Sequence, residues 1–455
     1  MARVVKKGLL VLMLFAVVWL AVIIWWQESR TLPTGVDIGL YLFALPLAML
    51  AALWLGARAV RAARAPKPAA DAATPAAQTP AHAPAQLVQL RVAAVAARAA
   101  AGDDTAAIAE ALAAQKRPEL DAELKTPQGY PIFAARVPGV NDLALYAAAR
   151  ERGAPPEATG TATLRVTSLL ADVARTLTNE AHRHVTALDV PARDEDWPLL
   201  RVELVLPADW PDAARERACQ EIQAAAGVWP DSRISVAQHQ ARDTMAADGL
   251  LRDLAAAPHD AQTPEPWRIV LAGDGYIDPE QVAMWDGMST LLTPANPQGR
   301  VPGEAAAGLL LGPAGTDAPL RVALSPVLRR QKPADARGAQ AEAPLADAVQ
   351  DLLQRADVMP DSVIHVISDA DHRGSRPLEP INIASQLLSH LDAAKDCQSV
   401  GVACGHTGVA ASLLTLAVAG QACMQYAQPV LTLTLQDPVL RSAALVTQPA
   451  AGATA

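Results

Sequence analysis

Two long apolar segments near the N-terminus constrain the organisation of this chain more than any other feature. They span residues 8–26 and 38–57, and neither contains a charged side chain. A helix of about 20 residues crosses a hydrocarbon layer about 30 Å thick. The first segment ends in Trp25-Trp26-Gln27-Glu28 rather than in a small-x-small cleavage site, and a second segment follows at once. We therefore expect two retained transmembrane helices rather than a cleaved signal peptide.

Basic residues lie on the outer sides of these two segments. The connector at residues 27–37 carries one basic residue, Arg30, against two acidic ones. Positively charged flanks tend to stay on the cytoplasmic side, so both ends of the hairpin are predicted to face the cytoplasm. The flanking basic residues are Arg3, Lys6, Lys7, Arg58, Arg61, Arg64 and Lys67.

A proline-rich segment separates the predicted hairpin from the rest of the chain. Five prolines are spaced through Ala, Thr and Gln over residues 65–86. Proline at this density prevents regular helix and sheet, which predicts an extended tether. The expected organisation is a transmembrane hairpin (1–62), a linker (63–86), an N-terminal α/β domain (87–234), a C-terminal domain (235–448) and a flexible tail (449–455).

Composition excludes several classes of function. Only 4% of the residues are aromatic, seven of the seventeen aromatic residues lie before residue 60, and the net charge is −9. Nucleic-acid binders use aromatic platforms and excess positive charge, so no nucleic-acid partner is expected. The four cysteines form no CxxC pair, and no phosphate-binding or dinucleotide-binding glycine motif occurs. We therefore predict no metal and no cofactor.

Strand-like and helix-like patterns alternate from Leu87 onward, which predicts an α/β body. Residues 87–100 fit either an Ala-rich helix or a strand running into a helix. The other predicted strands are 199–207, 234–236 and 268–273, and the other predicted helices are 106–115, 210–225 and 245–256.

Three segments in the second half of the chain occur in an informative order. A strand ends in Gly273-Asp274-Gly275, and Pro302-Gly303-Glu304 then precedes small residues and three leucines. The segment Val363–Arg373 comes next, and Gly405-His406-Thr407-Gly408 opens an apolar helix. Together they resemble the C-terminal half of the β-ketoacyl synthase family over about residues 235–448. The resemblance implies a thiolase-like layered α/β fold.

Condensing enzymes of that family use a cysteine nucleophile at the start of a buried helix, together with two histidines. The resemblance places this helix start near Arg242–Gly249, where no cysteine occurs. His406 matches the second family histidine, and His372 is the nearest match to the first. We therefore expect a catalytically degenerate protein that has lost its nucleophile, with His406 as a remnant of the family's catalytic site. Cys404, two residues before His406, allows two interpretations. It is either an alternative nucleophile or a buried, inert thiol.

Other polar groups allow two interpretations each. Asp369, Asp371 and His372 could bind a hard cation, although a polar loop or helix cap is favoured because a short acidic cluster at a strand end more often has that role. His182 and His184 would alternate faces in an extended segment, and a solvated segment is favoured over a zinc pair.

The glycines around His406 also allow two interpretations. Exposed amide groups at the start of the following helix could hold an anion. A tight strand-to-helix turn that needs glycine is the simpler explanation.

The whole layout resembles the type VI secretion lipase-adaptor family, with a two-span anchor, a Pro/Ala tether and a two-part α/β body. The resemblance implies a non-enzymatic adaptor at the bacterial inner membrane that binds a lipase effector and a secretion spike protein. Two alternatives stay open, an acyl-transfer or condensing enzyme and a structural component of an inner-membrane complex. The resembled synthases are dimers, so a homodimer is also left open.

Overall fold

The computed structural model describes Trp19, Trp25 and residues 87–187, 190–257, 264–336 and 343–449. Trp19 and Trp25 are helical and partly exposed. The rest of the predicted hairpin, the whole linker and the tail after Pro449 lie outside the described residues. Within the described part of the chain, the helical stretch at 408–426 has the length and hydropathy of a membrane span, but 83% of its apolar window is buried inside the protein. It is a core helix of the body.

Strands and helices alternate through the body, as the sequence predicts. The first half consists of β1 (Val88–Ala99), α1 (Thr105–Ala113), β2 (Glu119–Lys125), β3 (Pro131–Ala134), α2 (Asp142–Glu151), α3 (Thr161–Thr186), β4 (Leu200–Pro207), α4 (Asp212–Ala225), β5 (Ile234–Ala241), α5 (Ala246–Ala256), β6 (Trp267–Gly275), α6 (Pro279–Gly287) and β7 (Glu304–Leu311). The second half consists of β8 (Leu320–Leu324), β9 (Leu328–Arg329), α7 (Ala343–Arg355), β10 (His365–Ser368), α8 (Leu378–Leu387), β11 (Cys397–Ser399), α9 (Val400–Cys404), α10 (Ala411–Tyr426), β12 (Val430–Thr434) and β13 (Leu440–Thr447).

One large mixed sheet contains two repeats of the same strand order. The full order is β11-β10-β12-β13-β8-β1-β7-β6-β4-β5, with β9 paired to β13 at the side. In each half three strands are parallel, and the two strands nearest the centre are added antiparallel. The first half is therefore β5-β4-β6-β7-β1, and the second is β11-β10-β12-β13-β8.

Strand β1 joins the two halves. Its first residues, 88–92, pair with β8, and residues 92–99 pair with β7 after an irregularity between Val92 and Ala94. The described residues from 87 to 449 belong to one compact unit. In chain order, the first half ends with β7 and the second begins with β8. The domain boundary expected at residue 235 instead falls within β5, which is hydrogen-bonded to β4 of the first half.

Small residues let helices approach the centre of the sheet. Every residue of β7 is buried, and a Cβ at Gly308 would lie 2.6 Å from Leu271 and 2.8 Å from Leu177. Helix α3 contacts β6, β7 and β1, while α10 contacts β7, β1, β12 and β13. Residues 304–311 therefore form a close-packed central strand.

Helix α3 shows how local pattern leads to packing. Its apolar residues recur at helical spacing, and Val166, Leu169, Leu170, Val173 and Leu177 are buried in one cluster. Such a stripe makes a helix stable only when a sheet covers it.

Two local predictions are resolved by the structure. Residues 88–99 form a strand, not an Ala-rich helix, because they pair on both sides. His182 and His184 belong to α3 and not to an extended segment. Their rings lie 5.2 Å from Trp197 and 5.5 Å from Trp267 respectively, so each packs against its own indole.

Candidate functional site

A pocket of about 230 Å³ brings together the two histidines singled out in the sequence. The loop before β7, the loop after β10, helix α9 and the hairpin β2–β3 contribute to its wall. The lining residues are Arg117, Pro118, Phe133, Leu292, Val301, Asp371, His372, Gly401, Val402, Gly405 and His406.

His406 lines this pocket and is held in place by its backbone and by aromatic rings. Its N–H donates to the carbonyl of Val301 at 2.8 Å. Its ring centroid lies 4.9 Å from that of Tyr276 and 5.7 Å from that of Trp285. The side chain is nine-tenths buried, and Nδ1 has no hydrogen-bond partner. Burial and nearby arginines hold the pKa of His406 well below its usual range, so the ring is neutral near pH 7.

A buried carboxylate explains why Gly408 comes shortly after this histidine. Asp274 Oδ2 accepts the N–H of Val409 at 3.1 Å and the hydroxyl of Tyr276 at 2.9 Å. Gly408 has φ +50°, and a Cβ on it would lie 1.8 Å from the same Oδ2. The simpler explanation of the glycine, a tight turn, therefore fits this position. Burial raises the pKa of Asp274 to about 7.

His372 lines the same pocket and lies in the loop after β10, which is rich in charge. Its neighbour Asp371 accepts two bonds from Arg373, from the backbone N–H at 3.0 Å and from Nε at 2.7 Å. His372 Nε2 is buried without a hydrogen-bond partner. Asp371 is therefore satisfied by an arginine, while His372 keeps a free ring nitrogen.

Asp369 accepts hydrogen bonds from backbone N–H groups just beyond the end of β12. Its Oδ1 accepts the N–H groups of Leu435 and, at 3.0 Å, of Gln436. Among the described residues, no group of three His, Cys, Asp or Glu side chains could hold a metal ion. The geometry of Asp369 agrees with the polar-loop interpretation of this segment.

Cys404 is in the same segment as His406 but lacks the surroundings of a nucleophile. It is the last residue of α9, is completely buried, and belongs to the main apolar cluster. Burial raises the pKa of its thiol to about 12. Reactive cysteines instead occupy accessible, electropositive helix starts that lower the thiol pKa.

The position that the resemblance assigns to the nucleophile is the start of α5. This helix begins at Ala246 after buried Met245, and α5 contacts the turn at 408–410. Thr244 Oγ1 is buried there without a hydrogen-bond partner. No cysteine occurs from Arg242 to Gly249, so this start offers no thiolate.

Three arginines near His406 were missed by sequence reasoning. Arg300, Arg373 and Arg376 all act electrostatically on its ring. The Arg300 guanidinium lies 5.5 Å from the Trp285 ring centroid, and burial and Arg373 lower the pKa of Arg300. They are spread over two distant loops with no motif, so no sequence signal could have grouped them.

No family model matches the sequence, and no curated protein matches it. Among solved structures, a chain of the AntDE:AntF complex of a type II polyketide acyl-carrier protein with its ketosynthase aligns with a TM-score of 0.52 at 13% identity, covering 80% of this chain and 100% of that one. The ishigamide ketosynthase/chain length factor gives the same values. The oxazolomycin ketosynthase domain of Streptomyces albus has a TM-score of 0.52 at 12% identity, covering 79% of this chain and 75% of that one.

The body has a ketosynthase-like fold. Identity this low establishes the fold alone. The thiolase-like architecture expected from the three segments of the second half is therefore confirmed.

Proposed function

We propose that this chain uses a ketosynthase-like fold as a binding domain without condensing chemistry. One observation carries the proposal: the start of α5 has no cysteine, and Cys404, the thiol beside His406, is completely buried. Condensation needs a thiolate that can attack a thioester. Burial raises the pKa of the Cys404 thiol to about 12, so this thiol stays protonated near pH 7.

The finer proposal is a membrane-anchored adaptor for a type VI secretion lipase effector, which helps to load this effector onto the spike protein. Its support is the layout of the chain, with apolar segments at 8–26 and 38–57, a proline-rich tether at 65–86 and the α/β body. The anchor would hold the body on the cytoplasmic side of the inner membrane. Exposed apolar side chains on the hairpin β2–β3, at Tyr130 and Phe133, are compatible with protein contact.

The adaptor role can be tested by co-expression. The full-length chain is produced with the lipase and spike proteins encoded nearest to its gene, and complexes are isolated in a neutral detergent. We expect the lipase to co-purify with the full chain and not with an unrelated two-span membrane protein carrying the same tag. Failure of both partners to co-purify would overturn the adaptor role.

The second candidate is a condensing or acyl-transfer enzyme. The ketosynthase neighbours agree with it more directly than with the adaptor, because none of their names refers to secretion. One geometric observation also favours it, since His372 and His406 line the same pocket. Intact-mass analysis after incubation with acyl thioesters separates the two candidates. Acylation that is lost in Cys404→Ala would replace our proposal, and an unmodified chain agrees with it.

A further inference from the structure

Exposed apolar side chains are concentrated on three neighbouring elements of the body. From residue 87 onward, seven of the fifteen large apolar side chains that the described residues expose lie on the hairpin β2–β3, on α2 or at α6. They are Leu120, Tyr130, Phe133, Leu143, Tyr146, Met284 and Met288. We call these seven side chains the hairpin surface. Neighbouring exposed apolar side chains mark sites of contact with a protein or a membrane.

Packing and an arginine network hold the three elements together. The inner side of the hairpin shares a small apolar cluster with α6, in which Ile132 and Trp285 are buried. Arg136 joins the hairpin to α2, since it donates to Asp121 at 2.7 Å and to Asp142 at 3.5 Å. These contacts do not use the seven exposed side chains, which therefore stay available to a partner.

The hairpin carries apolar side chains on both of its faces. Leu120 and Phe133 lie directly opposite each other in the strand register, so they point to the same face. Both are exposed, whereas Ile132 and Ala134 on β3 are buried. A two-stranded sheet is only marginally stable alone, and this hairpin packs on the body through one face. Its open face is the centre of the hairpin surface.

The residue types on this surface are those that dominate protein interfaces. Ten aromatic residues follow residue 60, and three of them, Tyr130, Phe133 and Tyr146, are exposed here. Tyrosine, phenylalanine and methionine are enriched at the centres of interfaces relative to the rest of a protein surface. In a body so poor in aromatic rings, their exposure on one surface favours protein contact.

Acidic side chains border these apolar groups. Residues 119–151 and 279–288 contain seven acidic and three basic side chains, and an acidic excess of two remains when the two basic residues just before β2 are added. Glu119 and Glu280 are exposed and form no ion pair within the part of the chain that the structure describes. An acidic border repels both a second copy of the same surface and an anionic lipid leaflet, and it attracts basic side chains.

We propose that the hairpin surface is the docking site for a protein whose binding face carries apolar side chains inside a border of Lys and Arg. The proposal rests on the adaptor role proposed above, in which this partner is the lipase effector. Contact between apolar side chains supplies most of the affinity. Charge pairing at the border speeds association and fixes the orientation of the partner.

Binding of the lipase encoded nearest to the gene tests the proposal, with the full-length chain in neutral detergent. Tyr130→Ser combined with Leu143→Ser removes two side chains that are 69% and 82% exposed. We expect lipase binding at least about tenfold weaker, since a few apolar anchors carry most of the binding energy of an interface. The matched control is Tyr426→Ser combined with Met359→Ser, at 52% and 72% exposure outside these elements. The control should leave the affinity unchanged.

The outcomes separate the docking surface from the adaptor role. Equal lipase affinity in the two double variants would overturn the docking surface and leave the adaptor role intact. No lipase binding by the unaltered chain would overturn the docking proposal. The adaptor role falls with it only when the spike protein also fails to bind.

Reversal of charge tests the basic border of the partner. Glu119→Lys combined with Glu280→Lys should weaken lipase binding about fivefold or more at low salt, and less at high salt, because salt screens exposed charges. Asp231→Lys combined with Asp361→Lys is the control, since both residues are exposed and lie outside the hairpin surface. Equal low-salt affinities in the two variants would contradict a basic partner face.

Two measurements without the lipase address other occupants of the surface. Sedimentation of the full chain reports a dimer, and a dimer that Tyr130→Ser with Leu143→Ser converts to a monomer would assign the surface to a second copy. Mass-mapped maleimide labelling of Tyr130→Cys reports cover by lipid, and protection in nanodiscs that is lost in detergent would assign the surface to the membrane. Either result would overturn the proposal. We expect no dissociation and equal labelling in nanodiscs and detergent.

Discussion

The two halves of the sheet share one strand order but differ in the segment that follows one pair of equivalent strands, β5 in the first half and β11 in the second. In the first half, β5 is followed directly by α5, which begins at Ala246 without a capping side chain. In the second half, β11 leads into α9, then through Gly405 and Gly408 with positive φ into α10. His406 lies in this extra turn. Both histidines and Asp371 of the pocket therefore come from the second half, whereas α5 of the first half packs in the apolar cluster.

The halves also place opposite charges at equivalent strand starts. Glu304 begins β7 and receives Nε of Arg165 at 2.8 Å. Arg441 lies at the start of β13 and donates through Nε to Glu379 at 2.7 Å. All four side chains are buried. Each half is therefore held by a buried ion pair, but with the signs reversed.

Breaking the ion pair of the first half should have the largest effect. Glu304→Gln removes the buried carboxylate and leaves Arg165 paired only with the partly exposed Asp142, which costs about 3 kcal/mol in the free energy of unfolding. Urea unfolding of the full chain measures it. Glu195→Gln is the control, because Glu195 pairs with Arg193 at the surface and the change should cost less than about 1 kcal/mol. Equal costs for the two variants would contradict the role given to burial.

The buried acids should make stability depend on pH. Burial raises the pKa of Asp274 in the first half and of Asp369 in the second to about 7. From about pH 4 to 7 the unfolded chain loses these protons while the folded protein keeps them, so the free energy of unfolding falls as pH rises.

Removing Asp274 tests its share of this dependence. Asp274→Asn should flatten the slope by up to about 1.4 kcal/mol per pH unit in that range. Thermal unfolding at a series of pH values checks this, with exposed Asp231→Asn as the control. An unchanged slope in Asp274→Asn would show that its carboxyl is ionised in the folded protein.

The turn that distinguishes the second half can be broken at Gly408. Gly408→Ala combines a positive φ with a Cβ that would collide with Asp274, and we expect a loss of about 3 kcal/mol. Gly315→Ala is the control, since Gly315 has φ +87° and open space around its Cβ position. It should cost only about 1 kcal/mol of backbone strain. Chemical denaturation compares them, and equal losses would contradict the collision.

The smallest effect is expected at Cys404. Buried and with a pKa of about 12, it should react with iodoacetamide more slowly than partly exposed Cys219 in the native protein. Mass mapping after timed labelling gives the order, and labelling in denaturant provides the reference. Preferential native labelling of Cys404 would favour the condensing-enzyme alternative.

Much of the fold could be predicted from local pattern. Alternation at 199–207 and the helical spacing of 210–225 are confirmed as β4 and α4. Residues 87–100 were ambiguous, because an Ala-rich segment has no clear periodicity. Pairing with β7 and β8, more than 200 residues away in sequence, makes it a strand.

The site was predicted only in part. Glycines on both sides of His406 single out that segment, and only the structure shows that it shares a pocket with His372. Arg117 and Arg300 could not be found, because single arginines in loops carry no signal.

The sequence by itself determined the alternation of strands and helices, the small residues of β7 and the absence of a cysteine near α5. These are properties of periodicity, size and residue type, which are local. Only the tertiary structure decided that Asp274 accepts the N–H of Val409, and that Arg117, His372 and His406 line one pocket. Burial and electrostatics depend on which distant segments meet, so they arise only when the two halves pack together.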